Sequence, residues 1–470
     1  MLPDDVLIEI FHLRVAEDFR LFDREGIEGW QILTHVCRRW RSVVFQSPRR
    51  LNLQLLCTPK TPARDILDIW PPLPLIIRDV INIFHNKPSR MDNIIAALEH
   101  NDRVCDIKLD LGRLTSSQFG YITYSAAILK PFPELTDLHL GMYNDDRPEQ
   151  ILPDSFLGGT APRLRSLTLE YVQFPGLLKL LLSATHLVHL DLRNIPRSGY
   201  IPPEAMAASL EALTSLESLR LEFRYPRPRP APQSRRLLPP PLTRSILPSL
   251  TKIRFKGTSE YFEKILARID APRLHKLDIT FFNQIIFDTP QLIQFVSRIP
   301  TLRASEKGHI RFDSKAIIVK FPSQTTSDYD VLSVEIPCKA LEWQLSSLAQ
   351  VCASSLPPFS TLEELYILDD QAYPLSSQDD VERTLWPDLL RSFIAVKNLY
   401  LSEEIMRRIA SALQELVGGS TTEVLPALEN IFLERTRSFF YDNDIEMFAA
   451  ARRLTNHSIS VSQWNRYSRF

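Results

Sequence analysis

The chain is poor in cysteine and has almost no net charge. Its five cysteines are odd in number and scattered, without a C-x-x-C pair, so the sequence supports neither a disulfide framework nor a zinc cluster. The 55 Lys and Arg residues nearly balance the 56 Asp and Glu residues, and a formal net charge of -1 gives no general attraction for nucleic acid or an anionic membrane. Only a local patch remains open as such a site.

Membrane segments and common catalytic motifs are also missing. No apolar run approaches the roughly 18 residues that span a bilayer, and the N-terminus is acidic where a signal peptide would be basic and then apolar. The sequence has no P-loop, G-x-G-x-x-G, G-x-S-x-G or H-E-x-x-H motif, and no carboxylate or cysteine completes a metal set with His186 and His189. We expect a cytosolic or nuclear protein that is not an enzyme and binds no metal, cofactor, nucleic acid or membrane.

The N-terminal segment, residues 2–57, contains two amphipathic helix patterns joined by a polar spacer. The first starts at Pro3, Asp4 and Asp5, which suit the positive end of a helix. Its apolar positions are Val6, Leu7, Ile10 and Phe11. The apolar positions of the second, which ends at Pro48, are Trp30, Leu33, Val36, Cys37, Trp40, Val43 and Val44. Helices this short do not fold alone, so we expect them to dock on another protein or to form a cap that covers the rest of this one.

These residues resemble a known family. Leu2-Pro3-Asp4-Asp5 with Ile10-Phe11, followed by Trp30-x-x-Leu33-x-x-Val36-Cys37-Arg38-x-Trp40, resembles the F-box motif, and the whole chain resembles a fungal F-box protein with leucine-rich repeats. In that family the motif binds the Skp-type adaptor of SCF ubiquitin ligases, and through it the cullin and RING subunits. The residues that the resemblance implies contact the adaptor, or hold the helices together, are Leu2, Pro3, Val6, Leu7, Ile10, Phe11, Leu33, Val36, Cys37 and Trp40. The spacer, Glu17 to Gly29, is longer than the usual family turn, and we expect a longer loop there.

A recurring pattern organises the rest of the 470 residues, which are too many for one compact core. Nine segments share an apolar residue, two variable residues, an apolar residue, one variable residue and an apolar residue, the strand signature of leucine-rich repeats. Their first apolar positions are Leu135, Leu164, Leu187, Leu216, Leu250, Leu274, Leu362, Val396 and Leu428. An earlier unit places Val104, Ile107 and Leu109 in the same frame. In the 88-residue step from Leu274 to Leu362, the runs KAIIVKF and YDVLSVEI predict degenerate units.

Helix patterns alternate with these strands at Pro175 to Ala184, Ser259 to Ile269 and Ser402 to Val417, where Ser402 is a candidate N-cap and Gly418-Gly419 follow the helix. This alternation predicts an α/β fold, in which a short N-terminal helical F-box precedes an irregular leucine-rich-repeat solenoid with a curved parallel sheet and helices on the convex side. The predicted divisions are the F-box (1–57), a linker and N-terminal repeat or cap (58–100), irregular repeats (101–438) and a C-terminal cap of one helix and one short strand (439–470). Prolines in residues 57–72 favour a semi-rigid connection.

Residues 224–241 interrupt the repeats with a run rich in proline and arginine. Such a run forms neither a helix nor a central strand, so we predict an extended loop. It is either a docking peptide for an aromatic-lined groove or an acidic partner, or simply a solvated insertion.

Strand geometry indicates where a target would bind. Residues between the inward apolar positions face the open side of the sheet. The predicted row is His139, Thr168, Asp191, Arg220, Arg254, Asp278, Tyr366, Tyr400 and Phe432. Lys252, Arg254 and Lys256 make its middle basic. Because aromatic and arginine side chains often anchor interfaces, the candidate target-binding residues are Arg220, Arg254, Tyr366, Tyr400 and Phe432. The alternative is a solvated face, or one covered by a loop or the tail.

Together these observations predict a substrate-recruiting subunit of an SCF-type cullin-RING ubiquitin ligase. The N-terminal helices would hold the adaptor and the repeats a target protein, which raises the effective concentration of target lysines near the ubiquitin-loaded enzyme. The alternative is a leucine-rich-repeat scaffold that binds partners without a ligase and uses the N-terminal helices as a cap.

Overall fold

The structure is a computed structural model, and the chain divides into two compact units. Unit 1 is Met1–Tyr200 with Ala212–Leu216, and unit 2 is Ile201–Glu211 with Glu217–Phe470. The described residues are 2–20, 29–48, 50–59, 62–78, 91–113, 116–141, 150–226, 244–282, 288–303, 305–322, 330–338, 341–353, 356–369, 379–415, 424–434, 443–454 and 457–465. Both units mix strands and helices, which confirms the predicted α/β class.

Unit 1 contains one large parallel sheet. In spatial order its strands are β1 (Leu55–Cys57), β2 (Leu75–Arg78), β3 (Val104–Asp110), β4 (Asp137–Gly141), β6 (Ser166–Glu170) and β8 (His189–Ile195). A small parallel ladder joins β5 (Gln150–Ile151) to β7 (Val172–Gln173). The sheet therefore starts before the first recognised repeat, because β1 and β2 precede Val104.

The helices of unit 1 are α1 (Asp4–Arg20), α2 (Gly29–Val36), α3 (Arg38–Gln46), α4 (Ala63–Ile69), α5 (Met91–Leu98), α6 (Ser116–Thr123) and α7 (Leu177–Ser183), with 3-10 turns at Leu111–Arg113, Phe156–Gly159 and Arg197–Gly199. The single helix predicted from Trp30 onward is wrong, since it is divided into α2 and α3 at Cys37. The backbone of Cys37 is extended, and its Sγ accepts a hydrogen bond from the Trp40 N–H at 3.4 Å, so Cys37 caps the start of α3. The predicted helix at Pro175 to Ala184 is confirmed as α7.

Unit 2 likewise contains a series of hydrogen-bonded strands. In spatial order its strands are β9 (Ser218–Phe223), β11 (Lys252–Gly257), β13 (Lys276–Phe281), β16 (Asp330–Pro337), β15 (Ala316–Pro322), β14 (Lys307–Phe312), β17 (Glu364–Asp369), β18 (Asn398–Leu401), β19 (Asn430–Glu434) and β20 (Ser460–Trp464). A small parallel ladder joins β10 (Ser245–Ile246) to β12 (Ile269–Asp270). The helices are α8 (Pro203–Glu211), α9 (Ser259–Leu266), α10 (Pro290–Arg298), α11 (Pro300–Arg303), α12 (Leu341–Ala353), α13 (Pro357–Thr361), α14 (Asp379–Leu390), α15 (Glu403–Glu415) and α16 (Asn443–Leu454).

The sheet of unit 2 departs from the predicted regular order at one place. Strand β15 is antiparallel to both β14 and β16, while β16 pairs parallel with β13 and β14 pairs parallel with β17. The prediction of a degenerate parallel unit is therefore wrong for the run KAIIVKF, which lies on the antiparallel β15. The run YDVLSVEI lies on β16 from Asp330 onward, and this strand is parallel to β13. The chain instead inserts a three-stranded meander, which reverses the strand order relative to the sequence.

The other described strands carry their apolar residues on the buried side, as the predicted alternation requires. The first apolar residue of each repeat, from Leu135 to Leu428, is buried, and the next two apolar positions lie on strands and point away from the open face. On the buried side, Phe255 of β11 stacks on Phe262 of α9 with ring centroids 4.4 Å apart, so helices cover this face. Burial of each such side chain stabilises the fold by roughly 1.5–3 kcal/mol.

The C-terminal elements agree with the sequence prediction, but the hydroxyl of Ser402 has a different partner from the one predicted. The predicted C-terminal helix and strand are confirmed as α16 and β20. Helix α15 begins directly after Ser402, but the Ser402 hydroxyl accepts a hydrogen bond from the Asp369 N–H of β17 at 3.1 Å, which ties the helix start to the sheet. Gly418-Gly419 and residues 227–241 of the predicted proline-rich loop lie outside the described residues.

Candidate docking surfaces

The three N-terminal helices share a buried apolar centre. Leu7 and Phe11 of α1, Leu33 of α2 and Val44 of α3 are all buried. The rings of Phe11 and Trp40 lie 4.8 Å apart, which joins α1 to α3. These residues hold the helices together, as the second of the two roles predicted for this residue set requires.

The N-terminal helices also pack on the first strand-helix segment of unit 1. The Trp30 indole N–H donates to the backbone oxygen of Gln54 at 3.0 Å, just before β1. Trp30 and Phe45 both contact Trp70 edge-on, with centroid distances of 5.3 and 5.7 Å. The connection predicted over residues 57–72 thus includes helix α4, and Trp70 directly after it fixes α2 and α3.

A second apolar surface of the same helices faces solvent. On α1 and just before it, Leu2, Val6, Ile10 and Leu13 follow one another three or four residues apart and are 41–68% exposed. On α2, Ile32 and Val36 have the same spacing and are 51% and 55% exposed. We call these six residues the N-terminal apolar stripe. Large apolar side chains that are exposed as a series on neighbouring helices are typical of a binding surface.

The structure divides the ten predicted adaptor residues into two groups. Leu7, Phe11 and Leu33 are buried and Trp40 is half-buried, so they support the helices. The exposed members are Leu2, Pro3, Val6, Ile10, Val36 and Cys37. Leu13 and Ile32 belong to the same stripe and were missed, although Leu13 lies three residues after Ile10 and Ile32 lies four before Val36.

Ion pairs between α1 and α3 fix the helices that carry the stripe. Arg39 contacts Asp4 at 2.6 Å, and Arg50, after α3, contacts Glu9 at 2.6 Å. These pairs are largely exposed, so they orient α1 more than they stabilise it.

In unit 1 the predicted row on the open face is confirmed by strand register. His139, Thr168 and Asp191 are cross-strand neighbours, and the register extends the row to Lys108 and Arg78. Asp191 contacts Arg193 at 2.5 Å. Burial lowers the pKa of His139, and the nearby cations Lys108 and Arg193 lower it further, so this imidazole is neutral at neutral pH. The row in unit 1 is therefore polar and mixed in charge.

In unit 2 the predicted row is also one continuous cross-strand row. In spatial order it reads Arg220, Arg254, Asp278, Ser333, Lys320, His309, Tyr366, Tyr400, Phe432 and Ser462. Ser333, Lys320 and His309 were missed, because the antiparallel meander that carries them was not predicted.

The aromatic part of this row is buried at its centre and half-buried at its two ends. His309, Tyr366, Tyr400 and Phe432 stack face to face on neighbouring strands, with centroid distances of 4.5, 4.2 and 4.4 Å. Trp464 contacts both tyrosines edge-on, and its indole N–H donates to the backbone oxygen of Leu401. We call these five residues the aromatic stack.

The expectation that Tyr366 and Tyr400 lie on an open, accessible face is therefore wrong, and the alternative of a face covered by the tail agrees with the contacts of Trp464. The two tyrosines are only 6% and 4% exposed, and Phe432 is half-buried. The physical reason is that flat rings on adjacent strands cover one another and Trp464 covers the pair. Burial, followed by the neighbouring Glu364 carboxylate, raises the pKa of Tyr366, so its hydroxyl stays protonated.

The rest of the open face in unit 2 is rich in cations. This part of the face is formed by β9, β11, β13, β14, β15 and β16. Three carboxylates point toward the open side of these strands, namely Glu222, Asp278 and Glu335. Eight cations do so as well, namely Arg220, Lys252, Arg254, Lys256, Lys276, Lys307, Arg311 and Lys320. We call this set the basic face. Arg220 pairs with Glu222 at 2.8 Å, and Arg254 with Asp278 at 3.2 Å. The other two predicted target-binding residues, Arg220 and Arg254, lie here, and Arg254 is exposed.

His186 and His189 are both exposed, and within the described ranges no group of three or more His, Cys, Asp or Glu side chains is placed to hold a metal ion. No described helix has both the length and the apolar character that crossing a membrane requires. A comparison of the chain with protein-family models gives no match, and a comparison with curated proteins gives none either.

Proposed function

We propose that this chain is the substrate-recruiting subunit of an SCF-type cullin-RING ubiquitin ligase, with an F-box in residues 2–57 and irregular leucine-rich repeats after it. The observation that supports the proposal most is the N-terminal apolar stripe. It presents six large apolar side chains to solvent on the helices whose sequence resembles the F-box. A Skp-type adaptor is the partner that the resemblance implies for them.

The N-terminal apolar stripe also favours adaptor binding over a role of the N-terminal helices as a cap. A cap needs only the buried contacts of Trp30 and Phe45 with Trp70. It gives no reason for Val6, Ile10 and Val36 to remain 41–55% exposed on the other side. Burial of each such residue against a partner would contribute up to about 1.5–3 kcal/mol to binding before the cost of association is subtracted.

In this proposal the repeats hold a target protein, and the chain itself performs no bond chemistry. Tethering the target to the adaptor raises the effective concentration of its lysines near the ubiquitin-loaded enzyme. The complex would act in the cytoplasm or nucleus. The second candidate, a repeat scaffold without a ligase, is supported by the fixed contact between the N-terminal helices and Trp70.

Co-expression with a Skp-type adaptor and pull-down tests the proposal. We expect the wild type to be retained and Val6→Asp with Ile10→Asp to abolish retention, because both changes put a charge into the contact while leaving the buried Leu7 and Phe11 intact. Circular dichroism should show that this double variant remains folded.

The matched control is Leu182→Asp with Leu454→Asp, which changes two exposed apolar residues, at 57% and 89% exposure, elsewhere on the chain. It should be retained like the wild type. Failure of the wild type to bind, or equal retention of both double variants, would leave the scaffold as the better account.

A further inference from the structure

We infer that the basic face of unit 2 binds an extended segment of a target protein that is rich in Asp and Glu. The inference rests on the proposed function for the role of this segment as a target. The binding itself is a property of unit 2 and can be measured without the adaptor.

The first argument is the local excess of charge. The basic face carries eight Lys and Arg residues against three carboxylates, although the whole chain has a formal net charge of -1. Glu364 on β17, which pairs with Lys307 at 3.1 Å, still leaves cations in clear excess. A concentration of one sign on one face attracts a partner of the opposite sign and speeds its association.

The second argument is the depth of the charges. Two of the three carboxylates of the face are largely buried, with side-chain exposures of 12% for Glu222 and 19% for Asp278. The arginines that pair with them are more exposed to solvent, with side-chain exposures of 26% for Arg220 and 48% for Arg254. Lys252 and Arg311 are exposed as well. A partner arriving from solvent therefore meets ammonium and guanidinium groups first.

The third argument is the dimension of the face. It extends over six strands, and neighbouring strands lie about 4.8 Å apart, so the cations are spread over about 24 Å. An extended peptide advances about 3.3 Å per residue, so a segment of about seven residues crosses the whole face. Planar guanidinium groups bind carboxylates with two hydrogen bonds, which suits Arg220, Arg254 and Arg311 to such a segment.

The aromatic stack bounds this site. His309 joins the two regions, because it lies beside Lys320 in the row and stacks on Tyr366 at 4.5 Å. The row positions after His309 carry no cation, and Trp464 packs over the two tyrosines there. The acidic segment is therefore placed on β9, β11, β13, β16, β15 and β14 and not on β17 to β20.

The test uses the full chain and a fluorescently labelled synthetic peptide of twelve residues with Glu at every second position. We expect saturable binding that weakens when ionic strength rises above about 0.1 M, where the Debye length falls below about 10 Å. The variant Lys252→Gln, Arg254→Gln, Arg311→Gln should weaken binding about tenfold or more. Circular dichroism checks that it is folded.

A matched variant, Lys264→Gln, Arg407→Gln, Arg453→Gln, removes the same charge from exposed positions on α9, α15 and α16 of the same unit. It should change affinity by no more than about twofold, because helices cover the opposite face of the sheet. Absence of saturable peptide binding, or equal loss in both variants, overturns the inference.

A single-stranded RNA oligonucleotide of the same net charge provides the remaining comparison. If it binds more tightly than the peptide and loses affinity in the basic-face variant, the face is a nucleic-acid site and the inference fails. If only the adaptor pull-down fails and the peptide still binds, the ligase role is rejected. The inference that the basic face binds an acidic segment would still stand.

Discussion

The basic face and the aromatic stack lie in the same row of the same sheet in unit 2, but one is open and the other closed. Both were placed correctly in the row by alternation of residues along the strands. Arg254 is nevertheless 48% exposed at its side chain, whereas Tyr400 is 4% exposed. Strand register thus determines which side chains are neighbours, and the chemistry of those neighbours determines whether they remain accessible.

The difference follows from the shapes and charges of the side chains. Adjacent strands are about 4.8 Å apart, which is close to the stacking distance of flat rings, so aromatic residues at equivalent positions cover one another. The observed centroid distances of 4.2 and 4.4 Å agree with this. Arginines and lysines at equivalent positions repel one another and extend toward water, so the same geometry leaves them exposed.

The largest expected effect tests whether Trp464 closes the aromatic stack. Trp464→Ala removes a side chain that contacts both Tyr366 and Tyr400. We expect a loss of about 3 kcal/mol in the local stability of β17, β18 and β19, as is typical of large-to-small changes at buried aromatic residues. Hydrogen exchange measured by mass spectrometry should show amides of these strands exchanging about a hundredfold faster.

The control is Trp343→Ala on α12, where the side chain is 48% exposed. Its effect should stay within about 0.5 kcal/mol. Unchanged exchange of β17 to β19 in Trp464→Ala would mean that the tyrosines and Phe432 close the face without the indole.

An intermediate effect is expected for the polar edge of the stack. The Tyr366 hydroxyl donates to Glu364 Oε2 at 3.1 Å, and Tyr366→Phe removes this hydrogen bond while keeping the stacked ring. We expect a loss of about 1 kcal/mol by chemical denaturation. In a double-mutant cycle with Glu364→Gln the two losses should be less than additive, and full additivity would show that the pair does not interact.

Much of this fold could be predicted from the sequence, because leucines at a fixed spacing show which residues of each strand are buried on the same side of the sheet. The exception is instructive. Leu362, just before β17, and Leu365 on it correspond to Ser305, just before β14, and Gly308 on it, so the signature is absent. A Cβ at position 308 would come within 2.9 Å of a Leu362 methyl carbon, so a larger residue would force that buried side chain to shift, and no propensity scale shows that long-range contact.

The candidate sites were predictable to a different degree. The helical pattern identified the N-terminal residues, but it could not separate Leu7 and Phe11, which face α2 and α3, from Val6 and Ile10, which face solvent. That division depends on tertiary packing. Closure of the aromatic stack by Trp464 depends on a contact between β20 and β17, almost a hundred residues apart in the sequence.

The smallest expected effect concerns the basic face. Arg254→Gln breaks the contact with Asp278, but this pair is partly exposed and salt-screened, so the free energy of unfolding should change by no more than about 0.5 kcal/mol. Chemical denaturation followed by circular dichroism measures this change. Asp278 remains near Lys276 at 3.8 Å, so its charge is still compensated. A loss above about 2 kcal/mol would show that the basic face, like the aromatic stack, is part of what holds the sheet together, and the contrast between an open and a closed half of the row would no longer hold.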